Sequence, residues 1–383
     1  MLEKSKEVVE HMLEILQEIT VGHIIMYVVG LALIFLAIKK KYEPALLLPM
    51  GFGAILVNLP RSAVLNQNME GIGKVQGIIE WLYQIGIESS EAFPILLFIG
   101  IGAMIDFEPL LKKPILALFG FAAQVGIFVA IGIALWLDFP LKDAISIGMI
   151  GAADGPTSIL VSQILKSEYV GAIAVAAYSY MALVPLIQPI TIKALTTKKE
   201  RSIEMVCNKK KVPKIVLICF PIVLTFVAGI LAPMSISLVG FLMFGNLIKE
   251  SGVLQKLSDT ASDTLTNIIT LLLGITISFS MRAEVFVKKE TLFVMAIGLI
   301  AFFFDTVGGV LLAKFINLFL KQKINPMIGA AGISAFPMAA RVVQKMANEE
   351  KNGNIILMQA VGANVAGQVA SAIVGGVLLG IFG

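Results

Sequence analysis

The sequence predicts an all-α polytopic membrane protein with two inverted repeats, about ten transmembrane helices and two re-entrant broken hairpins. Two observations lead to this fold class. Of the 383 residues, 57% are hydrophobic and only 15% are charged, a composition typical of chains that lie mostly in lipid. Uncharged runs also recur along the whole chain, and short motifs from the first half return in the same order in the second.

The predicted elements follow the uncharged runs in order. Residues 1–20 carry mixed charges at helical spacing and predict an amphipathic N-terminal helix at the membrane interface. Membrane repeat 1 then covers 21–193, a basic cytoplasmic linker covers 194–214, and membrane repeat 2 covers 215–383. The candidate spans are 21–38, 44–60, 92–105, 115–137, 144–165, 169–192, 215–231, 234–248, 264–281, 291–313, 327–340 and 354–383. Two of these, 144–165 and 327–340, are interrupted by Gly and Pro and are the predicted hairpins.

Matching segments at a nearly constant separation indicate the repeat. Met149-Ile-Gly-Ala-Ala matches Met327-Ile-Gly-Ala-Ala, and Glu108-Pro-Leu-Leu-Lys-Lys matches Glu284-Val-Phe-Val-Lys-Lys. The positive-inside rule places the Lys- and Arg-rich linker in the cytoplasm. Each half then has five crossings and one hairpin, and the odd number of crossings inverts the second half relative to the first. Lys288-Lys289 falls outside in this arrangement, against the rule.

The first hairpin contains an isolated acid. Asp154 lies in the segment Gly-Ala-Ala-Asp-Gly-Pro-Thr-Ser and is the only charged residue in 144–165. A carboxylate within the membrane costs roughly 3 kcal/mol or more, so such acids usually mark ion paths or proton relays. The Gly-Pro pair behind Asp154 breaks the helix, and freed carbonyls with the hydroxyls of Thr157 and Ser158 suit an alkali cation. The simpler alternative is an Asp that only caps a half-helix.

The span after this hairpin contains two tyrosines. Tyr178 is expected in the aromatic belt at the membrane surface, where membrane tyrosines usually lie. Tyr180 lies deeper, ahead of Pro185, Gln188 and Pro189, and is the candidate for a functional role.

The second hairpin has no acid, because Gly332 stands where Asp154 stands in the first. Ser334, Asn325 and the backbone at Gly329 could still bind a cation. Arg341 ends the apolar run and could pair with Asp154 or with an anionic ligand; the alternative is an interfacial arginine that snorkels to the membrane surface.

The last span adds neutral oxygens at membrane depth. Asn364 and Gln368 carry side-chain carbonyls in a stretch rich in glycine and alanine. The alternative is that the small residues there serve only close helix packing. Asp305, inside an earlier span, has no assigned role.

Several function classes are disfavoured. The chain has no Gly-rich phosphate loop or catalytic triad pattern, and its two histidines make a His-based metal site improbable. The net charge of +4 gives no reason to expect nucleic acid as a partner. Any chemistry is therefore coupled to ion movement or done on a group that another subunit delivers.

A sodium-coupled carboxylate symporter remains an alternative, because inverted repeats with broken helices are common to transporters. A purely structural anchor is disfavoured, since it has no use for an acid in a broken helix.

The motifs resemble one family. The Asp154 segment, Tyr-Ser-Tyr-Met-Ala-Leu-Val-Pro around Tyr180, Ile-Gly-Ala-Met-Ile-Asp ending at Asp106, and the stretch from Asn325 to Arg341 are similar to the beta subunit of sodium-ion-translocating biotin-dependent decarboxylases. These enzymes act on oxaloacetate, methylmalonyl-CoA or glutaconyl-CoA. The resemblance runs from about residue 20 to the end of the chain.

The resemblance implies a function within a complex. A carboxyltransferase alpha subunit moves a carboxylate to biotin on a biotin carrier protein. The beta subunit decarboxylates that carboxybiotin, which is not attached to its own chain, and exports Na⁺ while consuming a proton. A small gamma/delta-type membrane subunit, a homo-oligomeric arrangement and a prokaryotic plasma membrane are further expectations.

The resemblance also implies roles for particular residues. Asp154 and Arg341 are expected to be catalytic together with Tyr180, and Arg341 with Ser334 to hold carboxybiotin. In the hypothesis that follows, Arg341 holds the carboxylate, Tyr180 relays the proton, and proton and Na⁺ compete at Asp154. The sodium ligands are expected among Asp154, Thr157, Tyr180, Asn325, Gly329, Ser334 and Asn364.

Overall fold

The structure is a computed structural model that describes residues 14–15, 17–41, 44–69, 71–89, 92–205 and 211–383. Most of the amphipathic helix predicted at residues 1–20 lies outside the described residues.

Helices make up almost the whole described chain. They are α1 Val21–Lys40, α2 Pro44–Val57, α3 Ile78–Tyr83, α4 Ala92–Met104, α5 Glu108–Lys112, α6 Leu116–Ala122, α7 Val125–Trp136, α8 Leu141–Gly148, α9 Gly155–Ile164, α10 Val170–Leu195, α11 Lys198–Arg201, α12 Lys214–Leu231, α13 Ile236–Ser251, α14 Gln255–Asp259, α15 Thr266–Ile277, α16 Ala283–Phe286, α17 Lys289–Ile316, α18 Met327–Ala330, α19 Met338–Glu350 and α20 Leu357–Phe382. Short 3₁₀ turns lie at Met149–Ala152, Pro233–Ser235 and Ser278–Met281, and π-helical turns at Gln84–Glu88 and Thr260–Leu265. The strands β1 Gln67–Met69 and β2 Gly73–Val75 form an antiparallel hairpin.

The predicted class, an all-α polytopic membrane protein, is confirmed. Six helical segments of the described chain are long and apolar enough to cross a membrane, and two bent pairs raise the number to eight. One bent pair lies within α10, which turns by 67° between Met181 and Leu183. About ten spans were expected; the difference arises because α2, with 14 residues, and α13, with 16, are too short for a straight span.

Both predicted hairpins are interrupted helices. In the first, α8 and the 3₁₀ turn end at Ala153, which has a left-handed backbone (φ 53°), and Asp154 is extended before α9 begins at Gly155. Pro156 occupies the first turn of α9, where its missing N–H costs no hydrogen bond. In the second, the chain is non-helical between α18 and α19, and α19 continues well beyond the predicted end at residue 340.

The described chain forms two compact units, each built from segments of both predicted repeats. One unit contains the residues up to Phe93 together with Asn267–Phe293, and the other contains Pro94–Thr266 and Val294–Gly383. In the first unit, Asn58 donates to the Met281 carbonyl over 2.9 Å and accepts from the Ala283 N–H over 2.7 Å. The repeats themselves remain a prediction.

The second unit contains both hairpins, packed against the last helix. Most of α20 is buried. A Cβ added at Gly367 of α20 would lie 2.0 Å from the carbonyl oxygen of Gly332 in the second hairpin, so only glycine allows this approach. The small residues of α20 therefore do serve close packing, and they bring its polar side chains against both hairpins.

Candidate functional site

Asp154 is enclosed, with 2% of its surface exposed. Its Oδ2 accepts hydrogen bonds from Thr157 Oγ1 at 2.5 Å and from Ser371 Oγ at 2.9 Å. Thr157 lies in the first turn of α9, whereas Ser371 comes from α20. Asp154 does stand directly before α9, as a capping residue would, but a hydroxyl from a distant helix goes beyond what a cap requires.

Ser158 serves the backbone around the break. Its hydroxyl lies 2.9 Å from the Met149 carbonyl oxygen and 2.8 Å from that of Asp154. Interrupting the helix frees carbonyl groups that lipid cannot satisfy, and a nearby hydroxyl restores their partner. Ser158 therefore stabilises the break, while Thr157 reaches the carboxylate.

The two tyrosines of α10 have different surroundings. Tyr178 is 3% exposed, and a Cβ added at Gly155 would lie 2.3 Å from its ring carbon Cζ. The expectation that Tyr178 lies in the aromatic belt is therefore wrong: the absence of a side chain at Gly155 opens room for its ring beside the Asp154 break. Tyr180 points elsewhere, and its hydroxyl donates to the Met295 carbonyl in α17.

The second hairpin is held by side chains of two helices. Asn364 Nδ2 donates to the Ile333 carbonyl over 2.6 Å, and Gln368 Nε2 donates to the Ser334 carbonyl. Gln188 of α10 donates to the Ala330 carbonyl over 2.7 Å. Ser334 Oγ in turn donates to the Gly367 carbonyl over 2.8 Å. These contacts satisfy the carbonyls that the interrupted helix leaves free.

The same contacts orient three amide oxygens. Because each amide nitrogen is bonded to a hairpin carbonyl, each oxygen faces away from that carbonyl. Within the described chain, Oδ1 of Asn364 and Oε1 of Gln188 and Gln368 are buried and have no hydrogen-bond partner. Buried amide oxygens without partners are costly in a protein, and they are among the neutral oxygens that alkali cations accept as ligands.

Along α20, Asn364, Gln368 and Ser371 share one face at helical spacing. The face therefore runs from the second hairpin to the Asp154 carboxylate in the first. Sequence reasoning missed Ser371, although its spacing from Asn364 and Gln368 could have identified it.

Three predicted site residues make their contacts with groups other than the Asp154 carboxylate. Asn325 Nδ2 donates to the carbonyls of Arg201 and Ile203, at 2.8 and 2.9 Å, and its Oδ1 accepts a hydrogen bond from the Met327 N–H. Gly329 packs against α17, where a Cβ would lie 2.0 Å from the Gly309 carbonyl oxygen. Arg341 is on the exposed side of α19.

Arg341 and Asp154 form no ion pair in the described part of the chain. This alternative for Arg341 is wrong in this structure, because Asp154 is enclosed between α9 and α20 while the guanidinium faces outward. The second alternative, an anionic ligand from outside the chain, is compatible with an exposed Arg341.

Similarity to known proteins decides what kind of chain carries this site. Residues 22–382 match the family described as Na⁺-transporting oxaloacetate decarboxylase beta subunit. The chain belongs to this family. The match includes both hairpins and α20, and it confirms the family predicted from the motifs.

Curated relatives cover nearly the full chain. The methylmalonyl-CoA decarboxylase subunit beta of Propionigenium modestum is 45% identical, over 95% of this chain and 96% of its own. The oxaloacetate decarboxylase beta chain of Klebsiella pneumoniae is 43% identical over the same shares. The glutaconyl-CoA decarboxylase subunit beta of Acidaminococcus fermentans is 44% identical, over 95% and 94%. As a member of this family, the chain is a multi-pass membrane subunit of a sodium-transporting decarboxylase.

Proposed function

We propose that this chain decarboxylates carboxybiotin presented by a partner subunit and couples that step to outward transport of Na⁺, with consumption of a proton. The observation that carries the proposal is the Asp154 carboxylate, buried at the break of a membrane helix and bonded to hydroxyls from α9 and α20. An enclosed carboxylate with only neutral partners is a site where a proton and a cation can replace each other.

The chemistry requires a proton. Carboxybiotin is an anion, and release of CO₂ breaks the bond between its carboxyl carbon and a ureido nitrogen. The electron pair of that bond stays on the nitrogen, which takes up a proton and regenerates biotin. A buried site that delivers this proton and excludes water favours the reaction, since general acid catalysis depends on a positioned donor.

Asp154, Thr157 and Ser371 are proposed as the centre of the sodium site. The hydroxyl oxygens of Thr157 and Ser371 keep lone pairs that can coordinate a cation when their hydrogens turn away from the carboxylate. A proton on Asp154 removes the negative charge that attracts Na⁺. Proton and Na⁺ should therefore compete there, and this competition is the proposed link between decarboxylation and transport.

The amide oxygens near the second hairpin extend the proposed ion path. Asn364 and Ser334 were predicted as ligands, and the unpartnered Oε1 of Gln368 lies between Asn364 and Ser371 on the same face of α20. Roles for Asn325 and Gly329 rest on the family resemblance; their contacts support a part in holding the second hairpin.

Carboxybiotin is proposed to bind through Arg341 and Ser334. Arg341 is exposed and free of ion pairs to described acids, so its guanidinium is available for a carboxylate. Tyr180 is proposed as the proton relay. To relay a proton, its hydroxyl has to leave its hydrogen bond with the Met295 carbonyl and bond to a group on the proton path.

The complex supplies the rest of the reaction. Relatives of almost equal identity are named for three different acyl substrates, which is expected if another subunit binds the substrate. We propose a carboxyltransferase alpha subunit, a biotin carrier protein and a small gamma/delta-type membrane subunit as partners, in a prokaryotic plasma membrane and with more than one copy of this chain. A sodium-coupled carboxylate symporter is the competing function.

Reconstitution into vesicles distinguishes the two functions. The proposal predicts Na⁺ accumulation only when the chain is present with its partners and a carboxylated biotin carrier. A carrier that lacks biotin is the control and should give none. Uptake of a radiolabelled carboxylate by the chain alone, driven by a sodium gradient, would instead establish the symporter.

A further inference from the structure

A second carboxyl group is buried within a membrane helix. Asp305 lies in the middle of α17 and is fully buried. Its Oδ1 accepts the Gly126 N–H over 2.7 Å, and its Oδ2 has no hydrogen-bond partner among the described residues. The described chain contains no ion pair to this group.

The contact to Gly126 satisfies a backbone group at a helix break. The span between Leu116 and Trp136 is interrupted between α6 and α7, and Gly126 stands in the first turn of α7, where N–H groups lack helical partners. An asparagine would accept the same hydrogen bond without an ionisable group in the membrane. The contact therefore explains why an acceptor is present at 305, but it does not explain why that acceptor is a carboxyl.

The site is shaped by glycine and lies beside the first hairpin. A Cβ at Gly126 would lie 2.2 Å from Asp305 Oδ1 and 2.1 Å from the Ala301 carbonyl oxygen. A Cβ at Gly151 would lie 3.0 Å from Ala301 Cβ and 2.9 Å from the Ile127 nitrogen. Gly151 precedes Asp154 by less than one helical turn, so Asp305 adjoins the segment that carries the proposed sodium ligand.

The position agrees with the axis of the predicted repeat. Gly126 and Asp305 are 179 positions apart, close to the separations of 176 and 178 that relate Glu108 to Glu284 and Met149 to Met327. Residues related by a two-fold axis touch only close to that axis. For inverted repeats the axis lies in the plane of the membrane, so this contact is predicted near the midplane.

The titratable groups around α17 lie on several elements. Residues 116–136 have no Asp, Glu, Lys, Arg or His. The first hairpin carries Asp154, and α10 carries Tyr178, Tyr180 and Lys193. Two further helices that pack against α17 also carry titratable groups: Lys142 and Asp143 in α8, and Arg341, Lys345, Glu349 and Glu350 in α19. Glu200 of α11 pairs with Lys314. The charged residues of α17 itself, Lys289, Glu290 and Lys314, lie at its ends. Gln124, at the break, offers a second buried oxygen that has no hydrogen-bond partner in the described part of the chain.

We propose that Asp305 is a proton-binding site that takes up and releases a proton at Oδ2 during turnover, separately from ion exchange at Asp154. Oδ1 keeps the Gly126 N–H in both states, so the break in the span is preserved while the charge changes. In this proposal Asp305 holds a proton for the Tyr180 relay, which passes it toward the ureido nitrogen, while the competition of proton and Na⁺ at Asp154 remains the link to transport. This inference rests on the proposed decarboxylase function.

Two substitutions separate a proton-binding role from a structural one. Asp305→Asn keeps an acceptor for the Gly126 N–H and removes the ionisable group, whereas Asp305→Ala removes both. In the purified complex, we expect Asp305→Asn to keep its melting temperature and its KM for Na⁺ but to lose decarboxylation rate by about 100-fold or more, the usual size of a proton-transfer contribution. Its remaining activity should depend less on pH than that of the wild type.

Several results would overturn the inference. A wild-type rate and pH profile in Asp305→Asn would leave only the structural role, and a raised KM for Na⁺ would make Asp305 a sodium ligand instead. If Asp305→Asn does not fold, Asp305→Glu is the replacement variant. A proton-binding site at 305 predicts that its pH profile of decarboxylation is shifted from that of the wild type, and an unshifted profile would contradict the inference. Failure of the wild-type complex to release CO₂ in a sodium-dependent way would instead refute the proposed function itself.

Discussion

Ser371 in the last helix donates its hydroxyl to the Asp154 carboxylate over 2.9 Å, although the two residues are 217 positions apart in the chain. This contact joins α20 to the break in the first hairpin. Since Asn364 and Gln368 on the same face of α20 hold the second hairpin, one helix contacts both interrupted segments. Movement of α20 or of either hairpin would therefore alter the partners of Asp154.

Removing either hydroxyl should weaken sodium binding. We expect Ser371→Ala and Thr157→Val each to raise the Na⁺ concentration for half-maximal decarboxylation about 10-fold or more, because each variant removes a hydroxyl oxygen from the proposed sodium site, and a tenfold change corresponds to about 1.4 kcal/mol. Thr276→Val is the matched control, since the Thr276 hydroxyl is also buried but has no hydrogen-bond partner among the residues that the structure describes. Equal effects of Thr157→Val and Thr276→Val would show that the Asp154 contact is unimportant.

The glycine at position 155 should be required by the Tyr178 ring. Gly155→Ala places a Cβ 2.3 Å from that ring, and overpacking of this kind costs about 1–3 kcal/mol. The melting temperature in detergent should fall for this variant. Gly132→Ala is the control, because a Cβ there meets nothing within 4 Å and alanine favours a helix. Equal melting temperatures of Gly155→Ala and Gly132→Ala would contradict the close packing of Gly155 against the Tyr178 ring.

The hydroxyl groups of the two tyrosines should contribute differently to stability. Tyr180→Phe loses the hydrogen bond to the Met295 carbonyl and should be destabilised by about 1 kcal/mol. Tyr178→Phe loses a hydroxyl that has no partner in the described chain, so its stability should be unchanged or slightly higher. Thermal unfolding of the two variants tests this order, and the reverse order would show that Tyr178 has the more important hydroxyl in the folded protein.

Glu108 should contribute stability only above acidic pH. The Val212 N–H at 3.0 Å and the Lys112 ammonium at 3.1 Å lower the pKa of Glu108 in the folded state. Its contribution is therefore complete above the unfolded pKa of about 4.3 and is lost as pH falls through the lower folded value. Glu108→Gln should reduce the melting temperature at neutral pH and approach the wild type in acid. Glu349→Gln, at an exposed position of α19, should have no effect at either pH; a pH-independent loss in Glu108→Gln would contradict this account.

The sequence alone was sufficient for the helical membrane class and for the break at Asp154. An isolated acid followed by Gly-Pro leaves few alternatives in a membrane, so position and chemistry could be predicted together. The ends and bends of individual helices were harder to predict, because uncharged runs such as 44–60 do not reveal where a helix stops.

The partners of the site could not be read from the sequence. The spacing of Ser371 from Asn364 and Gln368 indicates a shared helix face, but it does not reveal that this face meets the Asp154 carboxylate, which depends on the packing of α20 against the first hairpin. Tyr178 was placed in the aromatic belt because sequence reasoning had no means to show that Gly155 leaves room for its ring. Asn325 was expected among the sodium ligands, yet its amide is occupied by the Arg201 and Ile203 carbonyls, a contact that depends on the path of the linker.

The central claim is that Asp154 couples sodium to decarboxylation. The most direct measurement is CO₂ release from carboxybiotin on its carrier by the purified complex, over a range of Na⁺ concentrations, for the wild type and Asp154→Asn. Asp106→Asn is the control, since an amide there still accepts the Glu108 N–H that the carboxylate accepts at 2.8 Å. We predict sodium-stimulated release in the wild type and in Asp106→Asn, and no stimulation in Asp154→Asn. Full sodium-dependent release by Asp154→Asn would contradict the claim.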